Sequence, residues 1–197
     1  MSNNTINKDY TYRLTKKQYT WWKNLLDVQR PYRYNINKLN LGFTLDLGCG
    51  IGRNLLHLKG NGVGIDHNES SIEICKEKGL IAYTNDAFKL SEYSTPKKYD
   101  SILLAHVVEH LTELDAYNLI KEHLYLLKEN GKIVVITPQE AGYKSDATHV
   151  KFVNFEDVKR MFEKLNLKPI KHYSFPFPRI IGKVFKYNEF ISVAKKQ

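Results

Sequence analysis

Leu45-Asp46-Leu47-Gly48-Cys49-Gly50-Ile51-Gly52-Arg53 is the stretch that decides the fold of this chain. Its apolar residues are followed by a G-x-G-x-G turn and then by residues with helical potential. This order predicts a strand, a tight turn and a helix whose N-terminus faces a ligand. A dinucleotide-binding turn has the spacing G-x-G-x-x-G, whose third glycine would fall at Arg53. Asp46 would also repel a pyrophosphate, whereas it suits a cationic group. The turn therefore predicts a cofactor with a positively charged end.

The next two predicted strands are also followed by acidic side chains. The first, at residues 62–66, ends in Asp66, 18 residues after Gly48, where a ribose diol needs a bidentate acceptor. The second, at residues 80–84, is followed by Asn85-Asp86-Ala87-Phe88, which offers a carboxylate to an adenine amino group and an apolar face to the ring. Ordinary strand-end turns are the alternative for each acid alone. Three such acids on the ligand-binding edge of an α/β sheet predict an adenosyl cofactor, and the cationic end makes this S-adenosylmethionine.

The same residues make the chain resemble the class I S-adenosylmethionine-dependent methyltransferases over roughly residues 40–195. Besides residues 46–52, Asp66 and residues 86–88, the resemblance rests on two later segments. These are residues 99–111, which include Glu109-His110-Leu111 after a strand, and residues 127–138. The resemblance implies a methyltransferase enzyme with a Rossmann-like α/β fold. The implied sheet has seven mostly parallel strands in the order 3-2-1-4-5-7-6, with helices on both faces.

The strand ends and the resemblance together predict the cofactor site. Asp46 and the glycine turn would hold the methionine end, and Asp66 would hold the ribose. Asp86 and Phe88 would contact the adenine, and His106, directly after the fourth strand, would lie against the cofactor or the substrate. The predicted cofactor-binding residues are Asp46, Gly48, Cys49, Gly50, Asp66, His67, Asp86, Ala87, Phe88 and His106.

The order of the predicted elements agrees with this fold. Strands alternate with helices from Phe43 onward, which requires a parallel sheet covered by helices. The last two strand-like runs, residues 168–173 and 189–195, have no long helix between them and predict an antiparallel hairpin. The other strands are predicted at residues 43–47, 62–66, 80–84, 99–105 and 132–137, and helices near 51–58, 69–78, 113–129 and 155–166.

The N-terminal residues predict a helical extension. Residues 10–26 have helical potential, residues 29–32 interrupt it, and a second helical piece ends near Leu39. We expect residues 1–40 to form a helical lid or extension. The methyltransferase domain is expected at residues 41–197, with a single domain overall.

The composition bears on where the protein acts. The chain has no apolar stretch of about 20 residues and no signal-peptide core at its N-terminus, so we expect a cytoplasmic protein without a membrane partner. Its two cysteines, Cys49 and Cys75, predict no disulfide framework. We expect a monomer or a homodimer.

Charge is distributed unevenly along the chain. Residues 1–40 carry 8 basic and 2 acidic side chains, residues 41–150 carry 11 and 15, and residues 151–197 carry 11 and 4. A solvated basic surface is one explanation. Recognition of an anion is the other, because five of the six arginines lie in the two basic flanks. We therefore predict a small anionic methyl acceptor.

Histidines after the fourth and fifth strands are candidate catalytic groups. His149 lies in the predicted loop after the fifth strand, where Asp146 could orient its ring and raise its basicity. A histidine that only hydrogen-bonds its own loop is the alternative. We predict His149 and His106 as the catalytic residues, with His149 as the general base or as a hydrogen-bond partner of the substrate.

A metal site is a second hypothesis for the same region. His106, Glu109 and His110 stand at i, i+3 and i+4 and would share one face of a helical turn, to which His149 would add a fourth ligand. This set resembles the metal cluster of the small-RNA 3′-terminal 2′-O-methyltransferases. Those enzymes and the ubiquinone-pathway O-methyltransferases carry E-x-x-E-H here, and His106 replaces the first Glu. Because of this difference, we predict no metal ion.

Three residues from separate segments are predicted to contact the substrate: Tyr143, Arg179 and Trp22. The N-terminal segment is rich in aromatic residues, which fits a lid over the cofactor or, alternatively, a platform on which RNA bases stack. We predict methyl transfer to an oxygen or nitrogen of a small anionic molecule. The alternatives are an RNA methyltransferase, including one that performs metal-assisted 2′-O-methylation, and a cofactor-binding regulatory protein that has lost its chemistry.

Overall fold

The computed structural model describes Asp27 and residues 29–197. Trp22 and the helix predicted at residues 10–26 lie outside the described residues. The chain divides into two compact units, Met1–Ser94 and Thr95–Gln197. The lid at residues 1–40 and the domain boundary after it therefore stay predictions. Across the described part of the chain, no helix has both the length and the apolar character needed to cross a membrane.

The strands form a seven-stranded sheet in the order β3-β2-β1-β4-β5-β7-β6, which confirms the predicted topology. The strands are β1 Thr44–Leu47, β2 Gly62–Ile65, β3 Ala82–Tyr83, β4 Tyr99–Ala105, β5 Leu127–Pro138, β6 Leu167–Phe175 and β7 Glu189–Lys196. The described α-helices are α1 Arg30–Lys38, α2 Arg53–His57, α3 Glu69–Glu77, α4 Asn85–Lys89, α5 Glu113–His123, α6 Glu140–Tyr143 and α7 Phe155–Lys164. Short 3₁₀ turns occur at Val108–His110, Leu124–Leu126 and Arg179–Lys183.

The first unit contains the parallel strands β1, β2 and β3. β1 pairs with β2 over its full length, and β2 pairs with β3. All four side chains of β1 are buried, as expected for a parallel strand covered on both faces. A Cβ atom at Gly62 would lie 2.4 Å from the carbonyl oxygen of Thr44, so glycine is required for this close strand pairing. The pairing places the ends of β1 and β2 side by side.

The second unit contains strands β4 to β7. β4 and β5 are parallel, whereas β7 pairs antiparallel with both β5 and β6, which confirms the predicted terminal hairpin. The helix predicted at residues 113–129 is wrong at its end, because α5 ends at His123 and β5 already begins at Leu127. Leu126 and Leu127 are fully buried, and Leu127 pairs with Tyr99. Burial of these two side chains therefore draws the backbone into the sheet, where helical potential alone predicts a longer helix.

The loop between α6 and α7 is fixed to the residues that follow β4. The N–H groups of Val150 and Lys151 donate to the carbonyl oxygen of Glu109 at 2.8 and 3.2 Å. Thr137 Oγ1 donates to the carbonyl oxygen of Val153 at 2.9 Å, which ties the end of the same loop to β5. These bonds bring together two segments that lie about 40 residues apart in the sequence.

Candidate active site

The turn after β1 is closed by backbone hydrogen bonds to β2. The N–H groups of Gly48 and Cys49 donate to the carbonyl oxygen of Ile65 at 2.8 and 3.0 Å. Gly48 and Gly50 have φ values of 73° and 53°, a left-handed conformation that favours glycine. The predicted G-x-G-x-G turn therefore forms as a backbone loop of defined conformation.

Asp66 is oriented by this loop. The N–H of Gly50 donates to Asp66 Oδ2 at 2.8 Å, and the N–H of Asn68 donates to Oδ1 at 2.9 Å. His67 Nδ1 lies 3.4 Å from the same Oδ1. A carboxylate oxygen can accept more than one hydrogen bond, so both oxygens of Asp66 can accept from a further donor. This arrangement suits the two hydroxyl groups of a ribose.

Asp46 is a buried carboxyl group in β1. Neither of its side-chain oxygens has a hydrogen-bond partner among the described residues. Burial raises the pKa of Asp46 to about 7, although the charge of Arg53 and the side chain of Asn54 act in the opposite direction. A buried carboxylate without donors is costly, and a nearby cation would offset this cost. Asp46 therefore fits a site that receives a positively charged ligand group.

The third predicted cofactor segment forms helix α4. Asp86 and Ala87 are exposed, whereas Phe88 is only 2% exposed. The ring of Phe88 thus belongs to the interior of the first unit. The exposed groups that this segment offers to an adenine are the carboxylate of Asp86 and the methyl group of Ala87.

Glu109, His110 and His149 form a compact cluster in the second unit. One potential ligand atom from each residue lies within 4.8 Å of the others. His110 Nδ1 is 3.1 Å from the carbonyl oxygen of Thr148, and His149 Nδ1 is 2.7 Å from the carbonyl oxygen of Tyr143. A ring nitrogen that faces a carbonyl oxygen carries the hydrogen, so the lone pair of each neutral ring lies on Nε2.

Glu109 is the buried member of this cluster. Its side chain is fully buried, and neither carboxylate oxygen makes a hydrogen bond within the described residues. His106 Nδ1 approaches Oε1 at 3.3 Å as an ion-pair contact. A buried carboxylate without a hydrogen bond is expensive unless a cation or a proton donor compensates it. The Glu109 carboxylate therefore has a nearby imidazole but lacks the hydrogen bonds that a buried carboxylate requires.

His106 points to a different partner from the one predicted. Its Nε2 lies 2.8 Å from Glu189 Oε1, and its backbone φ is 61°. Burial by itself would lower the pKa of His106, but the contacts with Glu109 and Glu189 outweigh it and raise the pKa to about 9. The four-ligand metal set is therefore corrected to Glu109, His110 and His149, because His106 is a protonated bridge between two carboxylates. A protonated ring cannot serve as a general base.

His149 is oriented by Tyr143. Asp146 Oδ1 accepts hydrogen bonds from the N–H and Oγ1 of Thr148 at 3.0 and 2.8 Å, and these bonds stabilise the loop. The carbonyl oxygen of Tyr143 holds Nδ1 of His149, and the Tyr143 ring stacks on the imidazole with centroids 5.3 Å apart. The Tyr143 carbonyl and ring thus orient the imidazole, and the orienting role predicted for Asp146 stays a prediction. A substrate contact at Tyr143 stays a prediction.

A sequence model described as a methyltransferase domain matches residues 37–172, more than two thirds of the chain. The chain belongs to this methyltransferase family. The match spans the glycine turn, Asp66 and the Glu109–His110–His149 cluster. The candidate cofactor site of the first unit and the side-chain cluster of the second unit are therefore both within the matched residues.

Solved structures agree with the fold of the methyltransferase. A SAM-dependent methyltransferase from Archaeoglobus fulgidus has a TM-score of 0.69 and 24% sequence identity, and the match covers 94% of this chain and 99% of that chain. Magnesium protoporphyrin IX methyltransferase (ChlM) from Synechocystis PCC 6803, solved with bound SAH, has a TM-score of 0.69 and 13% identity, with 98% and 97% coverage. These likenesses confirm the class I methyltransferase fold.

The matches to curated relatives cover a smaller part of each chain. The Ubiquinone biosynthesis O-methyltransferase of Pelagibacter ubique (strain HTCC1062) is 33% identical over 99 residues, which are 47% of this chain and 40% of the relative. The protein of the same name from Bradyrhizobium sp. (strain ORS 278) is 31% identical over 99 residues, 47% of this chain and 38% of the relative. The matched region thus spans less than half the length of either relative.

The chain carries a methyltransferase domain, for which the sequence predicts S-adenosylmethionine as the cofactor. The residues of its first unit fit this cofactor. The buried carboxyl of Asp46 lacks hydrogen-bond donors among the described residues and suits a cationic methionine end, and Asp66 presents acceptors to a ribose. Which residues hold the cofactor stays a prediction at the level of single side chains.

Glu189 is a residue of this region that the sequence patterns did not predict. Glu189 begins β7 and pairs with His106, and it is the only acidic residue after Glu163. An isolated acid in a basic segment was the signal that could have found it. Arg179, predicted to contact the substrate, forms a bidentate ion pair with Glu140, and its guanidinium carbon lies 4.8 Å from the centroid of the Phe190 ring. Its role toward substrate stays a prediction.

Proposed function

We propose that the methyltransferase transfers a methyl group to a hydroxyl oxygen of a small molecule, and that this hydroxyl binds at the Glu109–His110–His149 cluster. The observation that carries the proposal is a pair of imidazole rings that cluster with the buried Glu109 carboxylate and whose Nδ1 atoms face carbonyl oxygens, so that the Nε2 of each neutral ring is the nitrogen with the lone pair. An oxygen acceptor is further supported by the two curated relatives, both named as O-methyltransferases.

His149 is the proposed general base. Its Nε2 would accept the hydroxyl proton, while the Tyr143 carbonyl fixes the tautomer and the stacked Tyr143 ring fixes the plane of the imidazole. S-adenosylmethionine, when bound, supplies an electrophilic methyl group on its sulfonium. Asp46 and Asp66 would hold the cofactor. Correct positioning contributes much of the rate in such a displacement, so a fixed imidazole is an advantage.

A divalent metal ion at the same cluster is the second candidate, contrary to the prediction from sequence. Two imidazole nitrogens and one carboxylate form a donor set that suits a catalytic metal. The observation that favours it is the buried Glu109 carboxylate, which has an ion-pair contact with His106 but no hydrogen bond among the described residues. Such an ion, when bound, would make the acceptor hydroxyl more acidic. Glu109, His110 and His149 would hold it, and His106 would stay paired with Glu189.

The acceptor is proposed to be anionic. Residues 151–197 carry 11 basic and 4 acidic side chains, which would attract a negatively charged molecule. Because Glu140 neutralises Arg179, the lysines of this region supply most of the attraction. The alternative acceptor, RNA, would use the same charge and differs in size.

The direct test is transfer of labelled methyl from S-adenosylmethionine into a fractionated cell extract, with small molecules and RNA assayed separately. We expect the label in an O-methylated small molecule. Label in RNA, or on nitrogen, would contradict the proposal. EDTA treatment followed by addition of Mg²⁺, Mn²⁺ or Zn²⁺ then separates the two mechanisms: resistance to EDTA supports the His149 base, and loss with recovery on metal addition supports the metal site.

A further inference from the structure

The connection between β6 and β7, residues 176–188, carries a concentration of exposed apolar side chains. Ile180 is 69% exposed and Val184 is 81% exposed. The exposed large apolar residues of this connection, called here the β6–β7 loop, are Phe177, Ile180, Ile181, Val184 and Tyr187. Single exposed apolar residues are ordinary, but five within 11 residues are a local concentration that indicates a binding surface.

Hydrogen bonds and close packing hold the base of the β6–β7 loop. Asn188 Oδ1 accepts a hydrogen bond from the N–H of Phe177 at 2.9 Å, and Asn188 Nδ2 donates to Gln139 Oε1 at 3.1 Å. Gly182 packs so closely on Gln139 that a Cβ atom would lie 1.7 Å from Oε1. These contacts tie the two ends and the middle of the loop to Asn188 and Gln139. The outward position of Ile180 and Val184 is therefore part of the fold.

The charge of the β6–β7 loop has one sign. The loop contains Arg179, Lys183 and Lys186 and no acidic residue. Glu140 neutralises Arg179, whereas Lys183 is exposed, and Lys186 Nζ lies 4.9 Å from the centroid of the Tyr187 ring. The surface thus combines aliphatic and aromatic side chains with lysine ammonium groups. Its partner must bury apolar groups and also supply negative charge.

We propose that the β6–β7 loop docks on the surface of an anionic lipid bilayer. Lysine is depleted in protein–protein interfaces, whereas at a bilayer its stem stays with the apolar groups and its ammonium reaches the headgroups. Anionic headgroups also attract lysine over about a Debye length. This is a contact with the surface, so it is compatible with the absence of a membrane-crossing helix among the described residues. It differs from the expectation, based on sequence, of no membrane partner, and it does not rest on the proposed O-methylation.

The test is co-sedimentation of the full chain with vesicles of phosphatidylcholine alone or with phosphatidylglycerol added. We expect binding only to the anionic vesicles, with weakening as salt rises. The double variant Ile180→Asp with Val184→Asp should reduce binding roughly tenfold or more, because it places two negative charges where the loop would contact the bilayer. Leu90→Asp is the matched control, since Leu90 is 91% exposed but lies in the first unit, and it should bind like the wild type.

A charge-reversal pair sharpens the result. Lys183→Glu with Lys186→Glu should weaken anionic binding roughly tenfold, whereas Lys168→Glu with Lys195→Glu, which changes the same charge at exposed positions of β6 and β7, should weaken it much less. Equal weakening by both pairs would show a general effect of net charge and overturn the proposal. Absence of vesicle binding at low salt would also overturn the proposal. The same holds if the wild type does not bind vesicles but self-associates, and the Ile180→Asp, Val184→Asp variant loses this self-association. Circular dichroism confirms that each variant folds.

Discussion

The two units form their candidate sites from different parts of the chain. In the first unit, the backbone N–H groups of Gly50 and Asn68 orient Asp66, and all the residues involved lie close together in sequence. In the second unit, Glu109 and His149 come from segments about 40 residues apart, and Glu189 comes from a third segment. A site formed by local backbone is written in a short motif, whereas a side-chain cluster depends on long-range packing. We propose that the first site holds the cofactor and that the second performs the substrate chemistry.

The largest effect is expected at the second unit. His149→Ala removes the proposed base, so we expect kcat to fall by ~10²–10⁴-fold while the affinity for S-adenosylmethionine, measured by calorimetry, stays nearly unchanged. His123→Ala is a matched control, because His123 Nδ1 also faces a carbonyl oxygen, that of Leu119, at 2.8 Å. A fully active His149→Ala enzyme would remove the chemical role assigned to the cluster.

A large stability effect is expected at Asp46 in the first unit. The pKa of Asp46 rises from an unfolded value of about 3.9 to about 7, so the folded state retains the proton longer and stability falls as pH rises between these values. Asp46→Asn should therefore stabilise the cofactor-free protein at pH 8, by up to about 4 kcal/mol, and have little effect at pH 4.

Thermal unfolding at the two pH values checks this expectation. The exposed Asp86→Asn variant serves as the control and should show no such dependence. If Asp46→Asn changes stability equally at pH 4 and pH 8, the buried carboxyl is not the cause. The same variant should bind S-adenosylmethionine more weakly, since it lacks the negative charge.

A smaller effect is expected for Asp66→Ala. The variant loses an oriented acceptor for two hydroxyl groups, so calorimetry should show at least roughly tenfold weaker binding of S-adenosylmethionine. Asp100→Ala, at an exposed ion pair with Lys128, is the control and should keep wild-type affinity. Unchanged affinity in a folded Asp66→Ala protein would refute the ribose assignment and leave the turn alone as the cofactor site.

The smallest effect is expected at Glu189. Because the raised pKa of His106 belongs to the folded state, its stabilisation is complete below about pH 6.5 and is lost as pH rises through about 9. Glu189→Gln removes one carboxylate partner, so it should lower the pKa of His106, measured by NMR. It should reduce stability by ~1 kcal/mol at pH 6, with the difference shrinking toward pH 10. An unchanged His106 pKa would show that Glu109 alone is responsible for the raised value.

The sequence determined most of the first unit's sheet and turn. The glycine turn, the strand that ends at Asp66 and the alternation of strands and helices depend on local backbone preferences and hydrophobic patterning, and the structure confirms the sheet they predict. Local rules failed where burial competed with helical potential. Leu127 lies in β5 and not in the predicted helix, because its side chain is buried and its backbone pairs with Tyr99.

Only the tertiary structure decided the composition of the second cluster. The groups that orient His149 and His106 are a backbone carbonyl at Tyr143 and a carboxylate at Glu189, and neither has a sequence signal tied to its partner. Every residue carries a carbonyl, so its hydrogen-bond partner is set by how a loop lies against a strand. The chain thus encodes its candidate cofactor loop within one short segment, residues 48–68, and it encodes the side-chain cluster through packing within the second unit.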